Sequence, residues 1–386
     1  MSEWKEYRLG DLVTFQRGHD LPREEMKNGI YPVAGSNSII GYHNKFTSDF
    51  PGITIGRSGN IGNPQFHKTK FWAHNTTLYV KEFKCVDPSF FFYLLKTLDF
   101  SQLNSGSAVP SLNRNFIHPF KVKVPSSLPT QTAIAEILSS LDDKIELNNK
   151  INKELEDLAQ TLFKRWFINF EFPNENGEPY KSSGGEMVES ELGEIPKGWE
   201  VKTLKDEFLL NMGQSPNGDT YNTICDGMIF FQGRSDFGFR FPSIRMYTND
   251  PKKIAKKFET LISVRAPVGD INMASEDCCI GRGLGSISHI FKLYSYTYYK
   301  ILSIQVELKS YDNEGTVFGS INKETLGNIK SIIPPIDICK SFNDLSVAND
   351  GLIFNMVNEC QQLTNLRDTL LPKLISGELE VNNINF

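Results

Sequence analysis

No stretch of the 386-residue chain approaches the roughly 20 consecutive apolar residues that a membrane-spanning helix needs. The opening residues, MSEWKEYRLG, are charged and contain no apolar signal core, so a cytoplasmic location is expected. Six cysteines, Cys85, Cys225, Cys278, Cys279, Cys339 and Cys360, are scattered without CxxC spacing. That pattern fits reduced thiols packed as small core side chains better than a disulfide framework or a zinc site. Five of the six histidines (His19, His43, His67, His74 and His118) fall in the first third of the chain, none with HExxH or related ligand spacing. No metal site is expected.

Catalytic signatures are missing too. There is no GxxxxGK[ST] loop to cradle a nucleoside triphosphate. GRGLG at Gly281–Gly285 lacks the third glycine of a dinucleotide fingerprint. Asn63-Pro64-Gln65-Phe66 resembles the Asn-Pro-Pro-aromatic motif of adenine methyltransferases, but Gln65 replaces the second proline and no glycine-rich cofactor loop precedes it. These absences point to a protein that binds instead of transforming.

What is present is enough to build ordinary cores: 39% hydrophobic residues, 12% aromatic, over a length that calls for two or three domains. The net charge of −5 averages unlike parts. Residues 1–125 carry 15 Lys+Arg and 10 Asp+Glu, and residues 199–334 carry 16 and 15. Residues 126–198 carry 7 and 14, and residues 335–386 carry 3 and 7. The acid is concentrated between and after two blocks that are basic or balanced, so the overall sign excludes little.

Those blocks repeat. WKEYRLGDLVTFQRG (Trp4–Gly18) lies over WEVKTLKDEFLLNMG (Trp199–Gly213) at an offset of 195, and GSAVPSLNRNFIHPFKVKVP (Gly106–Pro125) lies over GTVFGSINKETLGNIKSIIP (Gly315–Pro334) at 209. Leu155, Leu158, Leu162 and Phe167 meet Leu363, Leu366, Leu370 and Ile375 at 208. The order is globule, helix, linker, globule, helix: a duplication, too short to stack as a solenoid. Each globule reads as mixed α and β, with ITIGR (Ile53–Arg57) and Thr77–Glu82 as strands in the first, LISVR (Leu261–Arg265) and Ile287–Leu293 in the second, and a helix entered at Asp87-Pro88.

Between the globules, SLDDKIELNNKINKELEDLAQTLFKRWF (Ser140–Phe167) has neither glycine nor proline. Ile134, Leu138, Leu141, Ile145, Asn148, Asn152, Leu155, Ala159, Leu162 and Trp166 alternate in steps of four and three, a heptad seam with two asparagines at its centre. Leu345, Leu352, Met356, Leu363, Leu366, Leu370 and Leu374 offer a less regular partner stripe near the C-terminus. The two are expected to pair antiparallel; the competing arrangement packs each helix on its own globule. Gln131 to Trp166 makes roughly 54 Å of helix. With a DNA turn of about 34–36 Å, such a spacer suits two half-sites a turn or more apart.

Side chains able to read base edges or neutralise phosphates collect in the glycine-bearing loops. In the first globule the candidates are Arg17, Asn37, Asn44, Arg57, Ser58, Asn60, Lys68, Lys70 and Asn75; in the second they are Arg234, Arg240, Arg245, Lys253, Lys257 and Arg265. Arg57 and Arg265, each ending a predicted strand beside a glycine-bearing loop, are expected to contact DNA.

Leu128–Phe172, its continuation FPNENGEPYKSSGGEMVESELGEIPKGW, and LRDTLLPKLISGELEV near the end are similar to the central and distal conserved regions of the specificity subunit of type I restriction-modification systems. The resemblance spans essentially the whole chain. It implies an α+β fold: two mixed α/β target recognition domains separated by two long helices, the family's conserved regions, forming an antiparallel coiled coil. Mapped here, the domains are 1–128 and 199–335, the helices 129–172 and 336–377, the linker 173–198 and the tail 378–386. It further implies a non-catalytic subunit binding double-stranded DNA and docking two modification (methyltransferase) subunits, joined by restriction (translocase and nuclease) subunits. S-adenosylmethionine would sit in the modification subunits and ATP with Mg in the restriction subunits, none in this chain. Leu138, Leu141, Ile145, Leu155, Leu162, Leu352, Met356, Leu363, Leu366 and Leu370 are the candidates for helix pairing and docking. The second copy departs where Lys340 stands opposite Gln131. The rival readings are a self-contained methyltransferase or nuclease, and a coiled-coil scaffold without DNA readout.

Overall fold

The repeated tryptophan-led segments become edge strands, each pairing with the strand that leads into a long helix. A computed structural model describes residues 3–100, 111–311 and 319–381; Gly106–Pro110 and Gly315–Phe318 of the second sequence match, and 382–386 of the tail, lie outside them. The chain divides into two compact units, Met1–Glu146 with Cys360–Phe386, and Leu147–Glu359. The division passes through both long helices, so each unit owns a globule plus part of each helix. No described helix is long and apolar enough to cross a membrane.

In the first unit Trp4–Arg8 pairs antiparallel with Lys121–Pro125. A four-stranded sheet follows in the order Val13–Arg17, Thr77–Phe83, Gly52–Gly56, Pro64–His67. A smaller sheet joins Ile39–His43, Tyr31–Ala34 and Trp72–Ala73, the last two parallel. The helix Pro88–Lys96 starts where expected: Asp87 accepts a hydrogen bond from the Phe90 amide at 2.9 Å, and Pro88 supplies the first-turn φ. It buries Phe90, Phe91, Leu94 and Leu95 against the sheet, Ile134 and Leu138 of the central helix, and Leu374 of the C-terminal helix.

The second unit repeats the plan. Glu200–Thr203 pairs with Lys330–Ile333, and the four-stranded sheet runs Phe208–Met212, Leu284–His289, Thr260–Ser263, Ile271–Met273. The second sheet has grown to five strands and keeps one parallel pair, Met228–Phe231 with Cys278–Ile280. The linker is folded, not loose: Met187–Ser190 and Gly193–Pro196 form a hairpin, and Phe172 stacks on Tyr180 and Trp199 at 4.6 and 5.2 Å. Phe342 anchors the aromatic core, 5.4 Å from Phe163 and 5.3 Å from Phe167.

The central helix is α-helical over Leu128–Phe163 and ends in a π-helical turn, Lys164–Ile168. All ten expected seam positions, Ile134 through Trp166, are buried or half-buried. The C-terminal helix, Ile336–Ser376, faces it antiparallel within each unit. In the first, Arg367 reaches Asp142 at 2.6 Å and the Cys360 thiol the Ile145 carbonyl at 3.8 Å; in the second, Asn148 donates to Glu359 at 2.7 Å.

The partner stripe needs correcting. Leu345, Leu352 and Leu366 are 56%, 48% and 47% exposed and face away from the pairing. The stripe that turns inward is Cys339, Phe342, Ser346, Asn349, Ile353, Met356, Cys360, Leu363, Arg367, Leu370 and Leu374, a strict alternation of three and four. Of the paired residues named from sequence, Leu138, Leu141, Ile145, Leu155, Leu162, Met356, Leu363 and Leu370 are inside; Leu352 and Leu366 are outside.

Gln131 closes a joint in the first unit, donating to the Pro125 carbonyl and accepting from the Asp87 amide, both at 2.8 Å. Its positional counterpart Lys340 is exposed and pairs with Asp337. Asn343, three residues on, accepts from the Ser295 amide at 3.2 Å and so holds the start of the equivalent helix, Tyr294–Ser303.

Ile353→Ala is expected to cost about 2–5 kcal/mol by opening a core cavity, whereas exposed Leu352→Ala stays within about 1 kcal/mol. Urea unfolding of the two variants distinguishes the corrected stripe from the leucine stripe. Acid should weaken the fold through His67 and His289, whose burial lowers each pKa from 6.5 to about 4. Between those values the unfolded chain binds more protons than the folded one, so stability falls as pH drops. Each histidine contributes a loss of about 2 kcal/mol between pH 7 and 5, and urea midpoints of the two His→Gln variants should show a correspondingly smaller drop.

Candidate nucleic-acid interface

Two glycines mark the same spot in both globules. A Cβ on Gly18 would sit 2.0 Å from the His74 carbonyl oxygen, and one on Gly213 would sit 2.2 Å from that of Gly281. Only glycine lets the strand end approach this backbone so closely. Around that contact the hydrogen bonds repeat: Gly18 N to Thr77 O at 3.0 Å and Gly213 N to Leu284 O at 2.9 Å, Arg57 N to Thr76 O at 2.8 Å and Val264 N to Gly283 O at 2.9 Å. Leu112 N bonds to Arg57 O at 2.8 Å and Ile321 N to Val264 O at 3.0 Å. Bridges Ser58–Ser111 and Arg265–Ser320 close the loop, and Asn113 and Asn322 cap the short helices that follow.

These bonds fix the register residue by residue. Arg17 matches Met212, Ser58 matches Arg265, Asn75 matches Arg282, and Arg114 matches Lys323. Arg57 therefore corresponds to Val264, and Arg265 to Ser58. In the second globule this region is an open groove of about 690 Å³, lined among others by Arg265, Arg282, Ser320, Asn322 and Lys323. Arg265, Arg282 and Lys323 are exposed, with no carboxylate at salt-bridge distance among the described residues. In the first globule Arg17 pairs with Asp20 at 3.0 Å, the Asn75 amide also donates to Asp20, and Arg57 donates to the Asn75 carbonyl at 3.3 Å. The Asn75 amide, with Arg17 behind it, holds the Asp20 carboxyl below its ordinary pKa.

The structure thus brings together Arg17, Arg57, Ser58 and Asn75 in one globule and keeps only Arg265 of the second set at the equivalent place. Exposed Asn60 shares the loop that starts at Ser58, whereas Asn37 and Asn44 are exposed at the end of, and just beyond, the smaller-sheet hairpin. Lys68 turns to the central helix, 2.8 Å from Asp143 and 2.9 Å from Glu146, which push its pKa up to about 12. Lys70 pairs with Asp49, Arg234 with Asp270 and Arg245 with Asp236. Lys253 is exposed, and Lys257 lies over the rings of Phe258 and Phe354, the latter on the C-terminal helix. Sequence reading missed Arg282, Lys323 and Arg114; the repeat offset, carried through the glycine contact, is the signal that finds them.

Arg240 is a correction. It is fully buried, not a surface contact. Its guanidinium donates to Glu156 of the central helix at 2.8 Å, to Tyr299 at 3.0 Å and to Asp350 of the C-terminal helix, and it stacks 3.5 Å from the Tyr298 ring centre. Burial opposes the charge, but the surrounding tyrosines and carboxylates more than offset it and hold the pKa well above the ordinary arginine value. The burial pattern around an isolated arginine in a loop, GFRFP, gives no sign of carboxylates 84 and 110 residues away.

Arg240→Ala would leave Glu156 and Asp350 buried without their cation, at an expected cost of about 3–5 kcal/mol. Lys70→Ala removes an exposed pair and should cost less than about 1 kcal/mol. Denaturant unfolding of both variants reads the contrast directly.

Residues 1–157 and 196–343 match the family model described as the type I restriction modification DNA specificity domain. The chain is 33% identical over 306 residues to a putative type I restriction enzyme MjaX specificity subunit of Methanocaldococcus jannaschii, covering 77% of this chain and 69% of that one. It is 25% identical over 470 residues to the type I restriction enzyme HindI specificity subunit of Haemophilus influenzae, covering 98% and 100%. A crystal structure of the S subunit of a type I restriction-modification system from M. genitalium shares the fold, with a TM-score of 0.66 over 97% of this chain and 96% of that one at 17% identity. With the duplicated backbone scaffold and the paired helices, these matches place the chain in the family of type I restriction-modification specificity subunits, which recognise DNA sequence.

Proposed function

We propose that each recognition globule reads one half of an interrupted DNA sequence through its groove, and that the outer faces of the two long helices dock two modification subunits. The observation that carries the first part is the duplication itself: one backbone scaffold, registered bond for bond, presents different side chains at equivalent positions. A protein recognising two unlike half-sites needs that combination. Support for the second part comes from apolar side chains left on the helices outside the pairing stripe. Leu147 and Leu158 on the central helix are 51% and 59% exposed, and Leu345 and Leu352 on the C-terminal helix are comparable. Leucines spaced along acidic helices suit a protein partner better than a polyanion.

In this reading the chain is not itself an enzyme. S-adenosylmethionine belongs to the modification subunits, and ATP and Mg to restriction subunits that join them. The chain alone should transfer no methyl group from S-adenosylmethionine to duplex DNA and should support transfer once modification subunits are added. Leu158→Glu with Leu352→Glu should abolish co-elution with those subunits on size exclusion while leaving the thermal melt of the free chain unchanged. Methyl transfer by the chain alone, or undiminished assembly of the double variant, would count against the proposal.

A further inference from the structure

Four side-chain positions are registered between the two globules, and they fall into two kinds. Arg114 and Lys323 keep the same charge on the same turn, each one residue after an asparagine cap. The other three change chemistry: Arg17 to Met212, Ser58 to Arg265, Asn75 to Arg282. A constant cation at the same position of two globules that face different sequences is suited to phosphate, which every sequence offers. A position where the scaffold is fixed and the head group changes is suited to a base edge, the part of DNA that differs.

We infer that Arg17, Ser58 and Asn75 set the first half-site and that Arg265 and Arg282 set the second, with Arg114 and Lys323 anchoring the backbone at each. The inference rests on the DNA-reading function proposed above and assigns it to particular atoms. Neighbouring chemistry agrees. Ser58 and Arg265 leave their backbones tied into the bridges to Ser111 and Ser320, so the side chains are carried on a rigid loop. The equivalent of Asn75 follows the carbonyl that the glycine contact holds in place, and in the second globule it is an exposed guanidinium. The two guanidiniums of the second groove match the paired acceptors O6 and N7 of guanine; the amide of Asn75 matches N6 and N7 of adenine. In the first globule, Asp20 occupies Arg17 and Asn75 before DNA arrives; the Arg17–Asp20 pair is exposed on both sides and is readily exchanged for a base. Met212 offers no hydrogen bond, so the second groove makes at most an apolar contact where the first has a guanidinium.

The test uses the full chain assembled with its modification subunits, exposed to a randomised duplex library, with methylated adenines mapped by long-read sequencing. Arg265→Ser with Arg282→Asn installs the first-globule side chains in the second groove. The expected result is a motif changed in one half only, the other half unaltered. Ser58→Arg with Asn75→Arg should alter the opposite half. Lys323→Ala should keep the motif, weaken binding roughly tenfold at every sequence and reduce the slope of log affinity against log salt by about 1. Assembly and thermal melts of each variant confirm folding, and the two double variants are independent, so loss of one to misfolding leaves the other decisive. If the wild-type complex marks an interrupted motif and neither double variant alters it, the assignment is overturned while the DNA-reading function stands. If the wild type marks no interrupted motif, the function proposed above fails and takes this assignment with it.

Discussion

A carboxylate at one position of each long helix ties each globule to the helices that carry it. Asp142 lies in the central helix; Asp350, 208 residues on, is its equivalent in the C-terminal helix. Asp142 accepts from Tyr93 at 2.7 Å and from Arg367 at 2.6 Å. Asp350 accepts from Ser295 and from Arg240. In both units one partner comes from the helix that packs on the main sheet, Pro88–Lys96 or Tyr294–Ser303. Each carboxylate also accepts from a guanidinium whose origin differs: the facing long helix in one unit, the globule in the other, with Lys96 of the sheet-packed helix 3.7 Å from Asp142 besides. Desolvating two opposite charges contributes little net stability, while stranding either one is costly. The node therefore penalises alternative arrangements more than it stabilises the one observed. Asn148 and Asn152, buried in the same seam with polar atoms lacking partners among the described side chains, act in the same direction.

On that base the two globules keep one backbone scheme. Edge strands, main sheet, glycine contact and asparagine caps recur with offsets of 195, 207 and 209. The second globule spends its additional residues on the smaller sheet, which widens from three strands to five, and the main sheet keeps four. The proposed recognition chemistry sits where loops leave this shared frame, so side chains vary there at little cost to folding. Thiols follow the same division of labour: burial pushes Cys278 and Cys339 up to about 12, and both serve as packing groups.

Much of this was legible in the sequence where burial and polarity agree. The central helix reads cleanly because eight of its ten inward positions are apolar or aromatic. Its partner does not, because Ser346, Asn349, Cys360 and Arg367 occupy inward positions while Leu345, Leu352 and Leu366 sit one step outside. A reader following leucine follows the outer face, not the pairing face. Arg240 fails for the same kind of reason: its partners are remote in sequence and only the fold makes it a core residue. Arg57 and Arg265 look equivalent because both end a strand, yet the hydrogen bonds shift the register by one and move Ser58 into that role. Arg282 and Lys323 were passed over because no local pattern distinguishes them from ordinary surface cations.

The most direct measurement places a photo-crosslinking amino acid at position 75 or at position 282 of the full chain, assembled with modification subunits on its methylated target, and maps the crosslinked nucleotides. The account predicts that position 75 marks one half of an interrupted motif and position 282 the other, each within the specified bases. Crosslinks from both positions to the same half, or only to the unspecified gap, would contradict it.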